Sequence, residues 1–129
     1  MSESRPDFSF PKAEKLTGKK NIEELFRYGS SIFLHPFLVK YLYANTPVHR
    51  ILITVPKKKI KRAVDRNLIK RRMREAYRLN KHLIYAQPEA FYHVGFIYQD
   101  TKVLSYAEIE EKLVILLKRL QDKWSNEKN

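Results

Sequence analysis

The chain has 129 residues, with 26 Lys or Arg against 14 Asp or Glu and a net charge of +12 at pH 7. It has no cysteine, which excludes disulfides, thiolate nucleophiles and cysteine-based zinc sites and agrees with a reducing compartment. A hydrophobic content of 43% in a chain of this length allows one folded domain with one core.

Residues 1–15 contain Pro6 and Pro11 and show no period, which predicts a flexible N-terminal arm ahead of a single α/β domain over 16–125. Asn21 followed by Glu24 signals a helix start, Ile22, Leu25 and Phe26 share a face, and Gly29 supplies the stop. From Ser31 to Tyr43, β-branched and aromatic residues predict strand, interrupted near His35-Pro36. Asn45-Thr46-Pro47 reads as a turn, and His49 to Val55 as the next strand. Pro56 and the lysines of Lys57 to Lys61 form a loop, and a helix follows from Ala63 to about Leu83. Gln87-Pro88 breaks the pattern before a strand at Phe91 to Tyr98. Ser105 and Glu108 make a capping box for a last helix, with Ile109, Leu113, Leu116, Leu117, Leu120 and Trp124 on one face.

Charge is concentrated in one segment. Lys57 to Lys81 holds twelve of the basic residues and two of the acidic ones, a net +10, which leaves +2 for the remainder. Such a segment attracts a polyanion, and at this density the polyanion is expected to be nucleic acid. On a helical wheel Ile69, Met73, Ala76, Tyr77, Leu83 and Ile84 share one side, and Lys70, Arg71, Arg74, Arg78 and Lys81 the other. One face can pack on the sheet while the other forms a rail of cations. Arg predominates in the helix, and its planar fork matches phosphate oxygens. Asn67, near the helix start, is suited to a base edge or sugar.

A protein active site is hard to assemble from the chain. His35, His49, His82 and His93 are scattered without ligand spacing, so neither a catalytic residue nor a metal ligand is assigned. Three glycines cannot build a P-loop or a dinucleotide fingerprint. The carboxylate pairs Glu23-Glu24 and Glu110-Glu111 lie on helices away from the basic segment, whereas phosphodiester hydrolysis needs metal-held carboxylates or an equivalent. No apolar run approaches a membrane span and MSESRPDFSF lacks a signal-peptide core, so a cytoplasmic location is expected.

The run Lys59-Ile60-Lys61-Arg62-Ala63-Val64-Asp65-Arg66-Asn67-Leu68-Ile69-Lys70-Arg71 resembles the signature of the bacterial ribonuclease P protein component. Lys58 and Lys59 match the family's loop lysines, Arg66 and Asn67 the first two positions of its Arg-Asn-Arg motif, and Lys70, Arg71 and Arg74 the basic residues that follow. Leu68 stands where the family usually has Arg; Lys61, Arg62 and Arg72 supply charge nearby, though not at that position. NIEELFRYGSS at Asn21 to Ser31 resembles the family's first helix and its exit, and FLVKY at Phe37 to Tyr41 its long strand.

The resemblance implies an α+β fold, an αβββαβα two-layer sandwich with a left-handed βαβ crossover (ribosomal protein S5 domain 2-like). It also implies a subunit of an endonuclease for tRNA processing, in which the RNA subunit holds Mg²⁺ and cleaves. The protein, expected to be monomeric and away from membranes, would bind that RNA through Lys58, Lys59, Lys61, Arg62, Arg66, Asn67, Lys70, Arg71, Arg74 and Arg78. A cleft between the first helix and the sheet would take the 5′ leader of precursor tRNA, with Ile22, Phe26 and Lys40 at the family's lining positions. Ile22 and Lys40 stand where the family often has aromatic residues, which shifts leader binding from stacking toward charge.

Two other readings share the composition. A small basic ribosomal protein has the same size, charge and α/β mixture, and lacks the Ala-Val-x-Arg-Asn run after a lysine loop. A DNA-binding regulator needs a helix-turn-helix or an equivalent scaffold, which a strand and lysine loop before the helix do not provide.

Overall fold

A computed structural model of the chain describes residues 9–85 and 90–126. In order these form α1 (Lys19–Tyr28), β1 (Ser30–Leu34), β2 (Phe37–Ala44), β3 (Arg50–Thr54), α2 (Ala63–Asn80), β4 (Phe91–Tyr98) and α3 (Tyr106–Asn126), with 3-10 turns at Lys12–Glu14 and Lys81–Ile84. The four strands make one sheet in the order β1-β2-β4-β3. β2 pairs antiparallel with β1 and β4, and β3 runs parallel to β4, joined to it by the α2 crossover. The expected αβββαβα order is observed.

Strand alternation sorts residues between the two sheet faces. Phe37, Val39 and Tyr41 of β2, Ile51 of β3, and Tyr92, Val94, Phe96 and Tyr98 of β4 join one buried cluster. Ile69, Met73, Ala76 and Tyr77 of α2 and the apolar stripe from Ile109 to Trp124 of α3 complete it. Trp124 stacks on Tyr92 at 4.1 Å with the rings 3° from parallel. The opposite face carries α1. Its fully buried Leu25 sits over Gly95, where a Cβ would come within 3.2 Å of Leu25 Cδ2, a tight contact to which the leucine would have to yield by a few tenths of an ångström.

Helix boundaries differ from the sequence reading in ways the contacts explain. α1 begins at Lys19 rather than behind an Asn21 cap: Gly18, at φ 92°, turns the chain into the helix. The Asn21 amide instead donates to the Thr17 carbonyl at 3.2 Å. α2 ends at Asn80, and Leu83 and Ile84 lie in the following 3-10 turn. There Lys81 is drawn inward to Glu14, with Nζ 2.9 and 3.1 Å from its two carboxylate oxygens. Lys81 is therefore buried and does not belong to the cationic rail. The last helix has the expected box, with Ser105 N–H donating to Glu108 Oε1 at 3.1 Å and Glu108 N–H to Ser105 Oγ at 3.2 Å.

Part of the stretch read as a loose arm is packed on the domain. Phe10 lies against Tyr77 with ring centroids 5.2 Å apart. Lys15 forms a parallel bridge with Ile51, and Leu16 N–H donates to the Ile51 carbonyl at 2.9 Å. Leaving either member of the buried Glu14–Lys81 pair without the other would cost on the order of 3–5 kcal/mol. This pair fastens residues 12–14 to the end of α2. The remainder of the arm (residues 1–8) and the Gln87-Pro88 break lie outside the described residues.

His49 ties the β3 start to two other segments. Its Nδ1 accepts the Tyr92 N–H at 3.0 Å and its Nε2 donates to the Ile84 carbonyl at 2.8 Å, beside the rings of Tyr85, Phe91 and Trp124. Burial lowers its pKa from 6.5 to about 4. The unfolded chain therefore takes up this proton near pH 6.5, while the folded chain stays neutral until about pH 4. The stability contributed by neutral His49 is present above pH 6.5 and is lost as pH falls toward 4, by about 3 kcal/mol. Urea midpoints at pH 7 and pH 4.5 should show this drop in the wild type and a smaller one in His49→Gln. Equal drops in both proteins would contradict the assignment.

Candidate nucleic-acid interface

The lysine loop is a folded turn. The N–H groups of Lys59 and Ile60 donate to the Pro56 carbonyl at 3.0 and 3.1 Å, and buried Ile60 pins the loop to the core. Lys57, Lys58 and Lys61 are exposed, and Lys59 is half-buried. Arg66 reaches back from α2, with Nη1 donating to the Ile60 carbonyl at 2.9 Å and the Lys61 carbonyl at 2.8 Å. Part of its guanidinium is thus spent on holding the loop against the helix. No side chain caps α2 at Arg62, so the positive end of the helix adds to the field of the loop lysines.

Contacts divide the cations of α2 into two groups. Arg71 and Arg74 are exposed and Lys70 half-buried, and none of the three has an acidic partner among the described residues. Asn67 lies exposed one turn before Arg71, and Leu68 is half-buried. Arg78, by contrast, grips Glu75 with both Nε and Nη2, and that contact holds the Glu75 carboxyl below its usual pKa. Arg62 is loosely placed 3.9 Å from Asp65, with its side chain 78% exposed. Arg72 turns toward α3 and donates to the Leu104 carbonyl, so it cannot stand in for the Arg missing at Leu68. The rail is narrower than its sequence, with Lys70, Arg71 and Arg74 at its centre.

Lys15 joins this surface, and the sequence gives no sign of it. It lines a shallow depression with Phe10, Arg71, Arg74, Glu75 and Arg78, and its Nζ lies 5.5 Å from the Phe10 ring centroid. Only its bridge to Ile51, far away in sequence, brings it there.

The second feature is the cleft on the α1 side. Strand register lays three rows across this face: Leu42, His93 and Arg50; then Ser31, Lys40, Gly95 and Leu52; then Phe33, Leu38, Ile97 and Thr54. Leu25 sits on the middle row. Glu24 approaches the first, where it partly opposes the lowering of the His93 pKa by burial and by Arg50. Ile22 and Phe26 occupy the other flank of α1 and therefore face the third row. Phe26 is 42% exposed, and Ile22 is half-buried. Lys40 Nζ donates to Ser31 Oγ at 3.1 Å, at the border of that row. Ile22 and Phe26 thus lie on the flank of α1 toward the third row, and Lys40 lies on the same sheet face in the row beside it.

Among the described residues no three His, Asp or Glu side chains come together as a metal site, and no helix is long and apolar enough to cross a membrane. What the surface offers is cations without acidic partners among the described residues, exposed aromatic rings on the α1 side of the sheet, and backbone donors at a helix start.

Residues 10–121 match the family model described as Ribonuclease P. A ribonuclease P protein component of Porphyromonas gingivalis is 41% identical over 86 residues, which span 63% of this chain and 61% of that protein. That of Petrotoga mobilis is 31% identical over 122 residues, spanning 88% of this chain and 96% of its own. Among solved structures, the Staphylococcus aureus RNase P protein superposes with a TM-score of 0.71 at 27% identity, covering 85% of this chain and 97% of its own. The Thermotoga maritima protein gives 0.70 at 28% identity, covering 82% and 96%. With the family matched over nearly the whole described fold, the chain belongs to the ribonuclease P protein component family.

Proposed function

We propose that the chain is the protein subunit of a cytoplasmic ribonuclease P ribonucleoprotein. In this reading it binds the catalytic RNA through the α2 face and the 5′ leader of precursor tRNA in the α1 groove, and so assists 5′ maturation of tRNA. The observation that carries it is the set Lys70, Arg71 and Arg74, cations without acidic partners among the described residues on a helix whose other face is core. Neutralising RNA phosphates releases condensed counterions, which makes such a face a salt-sensitive RNA contact.

The lysine loop leads in the chain from the α1-side row that ends at Thr54 to the cationic helix. Thr54 ends β3 at one end of the third row, and Val55 and Pro56 lead into the lysine loop and α2. In this reading the loop lysines reduce the repulsion between the RNA bound by α2 and a single strand on the α1 side of the sheet. Lys58, Lys59, Lys61, Arg62 and Asn67 flank this junction, Arg66 contributes both as loop fastener and as cation, and Arg78 contributes less because Glu75 holds it. Magnesium enters this reading with the RNA, which supplies the cleavage chemistry. The chain's own part is binding, orientation and charge.

Three measurements check the reading. Added to its cognate large RNA at low Mg²⁺, the chain should restore correct 5′ cleavage of precursor tRNA; RNA binding without any gain in cleavage would favour a ribosomal-type role. Arg71→Ala with Arg74→Ala should lower the slope of log affinity for the RNA against log salt by about 1–2, and Arg72→Ala should leave it unchanged. An equal effect of Arg72→Ala would refute the division of the rail. Phe26→Ala should weaken binding of precursor tRNA more than of mature tRNA, and equal losses would assign Phe26 to folding.

A further inference from the structure

Phe33 is the aromatic residue on the groove that folding does not explain. It is 59% exposed in the middle of the edge strand β1, while its neighbours Ile32 and Leu34 turn inward against the core. A large exposed ring on an edge strand is a liability for self-association, and Thr or Lys there would serve the sheet as well.

Its position argues for a use. Register puts Phe33 opposite Leu38, at the outer end of the row Phe33, Leu38, Ile97 and Thr54. The flank of α1 that bears Phe26 overlooks this row. Phe33 therefore stands at the β1 end of this row, beside the half-buried Leu38 and with Ile97 buried further in, on the sheet face that carries α1. Lys40 and Ser31 border it one row away, joined by their 3.1 Å hydrogen bond. Thr54 closes the far end, where the chain continues into the lysine loop. A row of four strands at about 4.8 Å separation is roughly 14 Å wide. An exposed ring beside the half-buried Leu38, with Lys40 one row away and the lysine loop beyond Thr54, is complementary to single-stranded nucleic acid, whose bases stack while its phosphates meet charge.

The other exposed rings lack this setting. Tyr43 packs edge-on against Tyr92 on the core side of the sheet, at 6.1 Å. Tyr28 borders a depression that it shares with Lys20, Glu23, Glu24 and Arg27, where the acidic pair repels phosphate.

We infer that Phe33 is a base-stacking residue of the groove, which takes an unpaired nucleotide of single-stranded RNA beyond the one at Phe26. Aromatic stacking absent from Ile22 and Lys40 is supplied from β1 instead. The inference rests on the reading of the groove as a leader site and names a further residue in it.

The test uses the full chain assembled with its cognate RNA. Affinities are measured for mature tRNA and for precursor tRNAs with leaders from one nucleotide up to about eight, using wild type, Phe33→Ala, Phe33→Tyr and Phe26→Ala. Phe33→Ala should weaken the long-leader substrate by about tenfold while leaving the mature and shortest-leader substrates unchanged. Phe33→Tyr, which keeps the ring, should stay within about twofold of wild type. A leader-dependent loss in Phe26→Ala with none in Phe33→Ala overturns this inference and leaves the groove reading intact. No leader dependence in either variant overturns both. A wild-type dimer that Phe33→Ala converts to monomer would assign the ring to self-association and also overturn it.

Discussion

Everything proposed for this chain depends on α2 satisfying two environments at once. Its like-charged pairs at i,i+4, such as Lys70 with Arg74 and Arg74 with Arg78, each oppose the helix by about 0.2–0.5 kcal/mol. Against this, Ile69 and Met73 are fully buried, and burial of such side chains stabilises by about 1.5–3 kcal/mol each. Packing wins by several-fold, so the core can hold in place a row of cations that the helix alone would disfavour. The fold thus fixes the backbone positions from which these cations project.

The same packing decides which cations are available. Arg66 fastens the loop, Arg72 reaches the Leu104 carbonyl, Arg78 holds Glu75 and Lys81 is buried on Glu14. Twelve basic residues in the segment therefore reduce to a smaller set without acidic partners among the described residues, centred on the half-buried Lys70 and the exposed Arg71 and Arg74. On the other sheet face, the absence of a side chain at Gly95 lets Leu25 seat α1 closely over the middle row. In the third row, on the Phe26 side of that helix, Ile97 is buried and Leu38 half-buried. Gly95 thus shapes the groove without lining it.

Element order, the interruption at His35-Pro36 and both long helices were legible from periodicity and capping, because those signals are local. What was not legible depends on partners distant in sequence. Lys81 has the helical phase of the exposed rail, and only Glu14, 67 residues away, reveals that it is buried. Lys15 reaches the cationic face because it bridges to Ile51, and no local pattern carries that information. The start of α1 was misplaced because Asn21 and Glu24 imitate a cap, while Gly18 supplies the positive φ at which the helix begins. For the candidate site, the motif identified the basic residues by type and spacing. Which of them are free and which are spent on carbonyls and carboxylates required the three-dimensional contacts. Phe33 was invisible as a groove residue until register placed it in the row with Leu38 and Ile97.

The absence of native cysteine makes a direct mapping experiment possible. A single cysteine introduced as Arg71→Cys, or as Lys118→Cys on the exposed side of α3, can carry an iron chelate that cleaves nearby RNA. In the complex assembled with the cognate RNA, the account predicts localised cuts in the catalytic RNA from position 71 and none from position 118. Cuts of equal strength from both positions, or cuts from position 118 alone, would contradict the claim that the partnerless cations of α2 form the RNA-binding face.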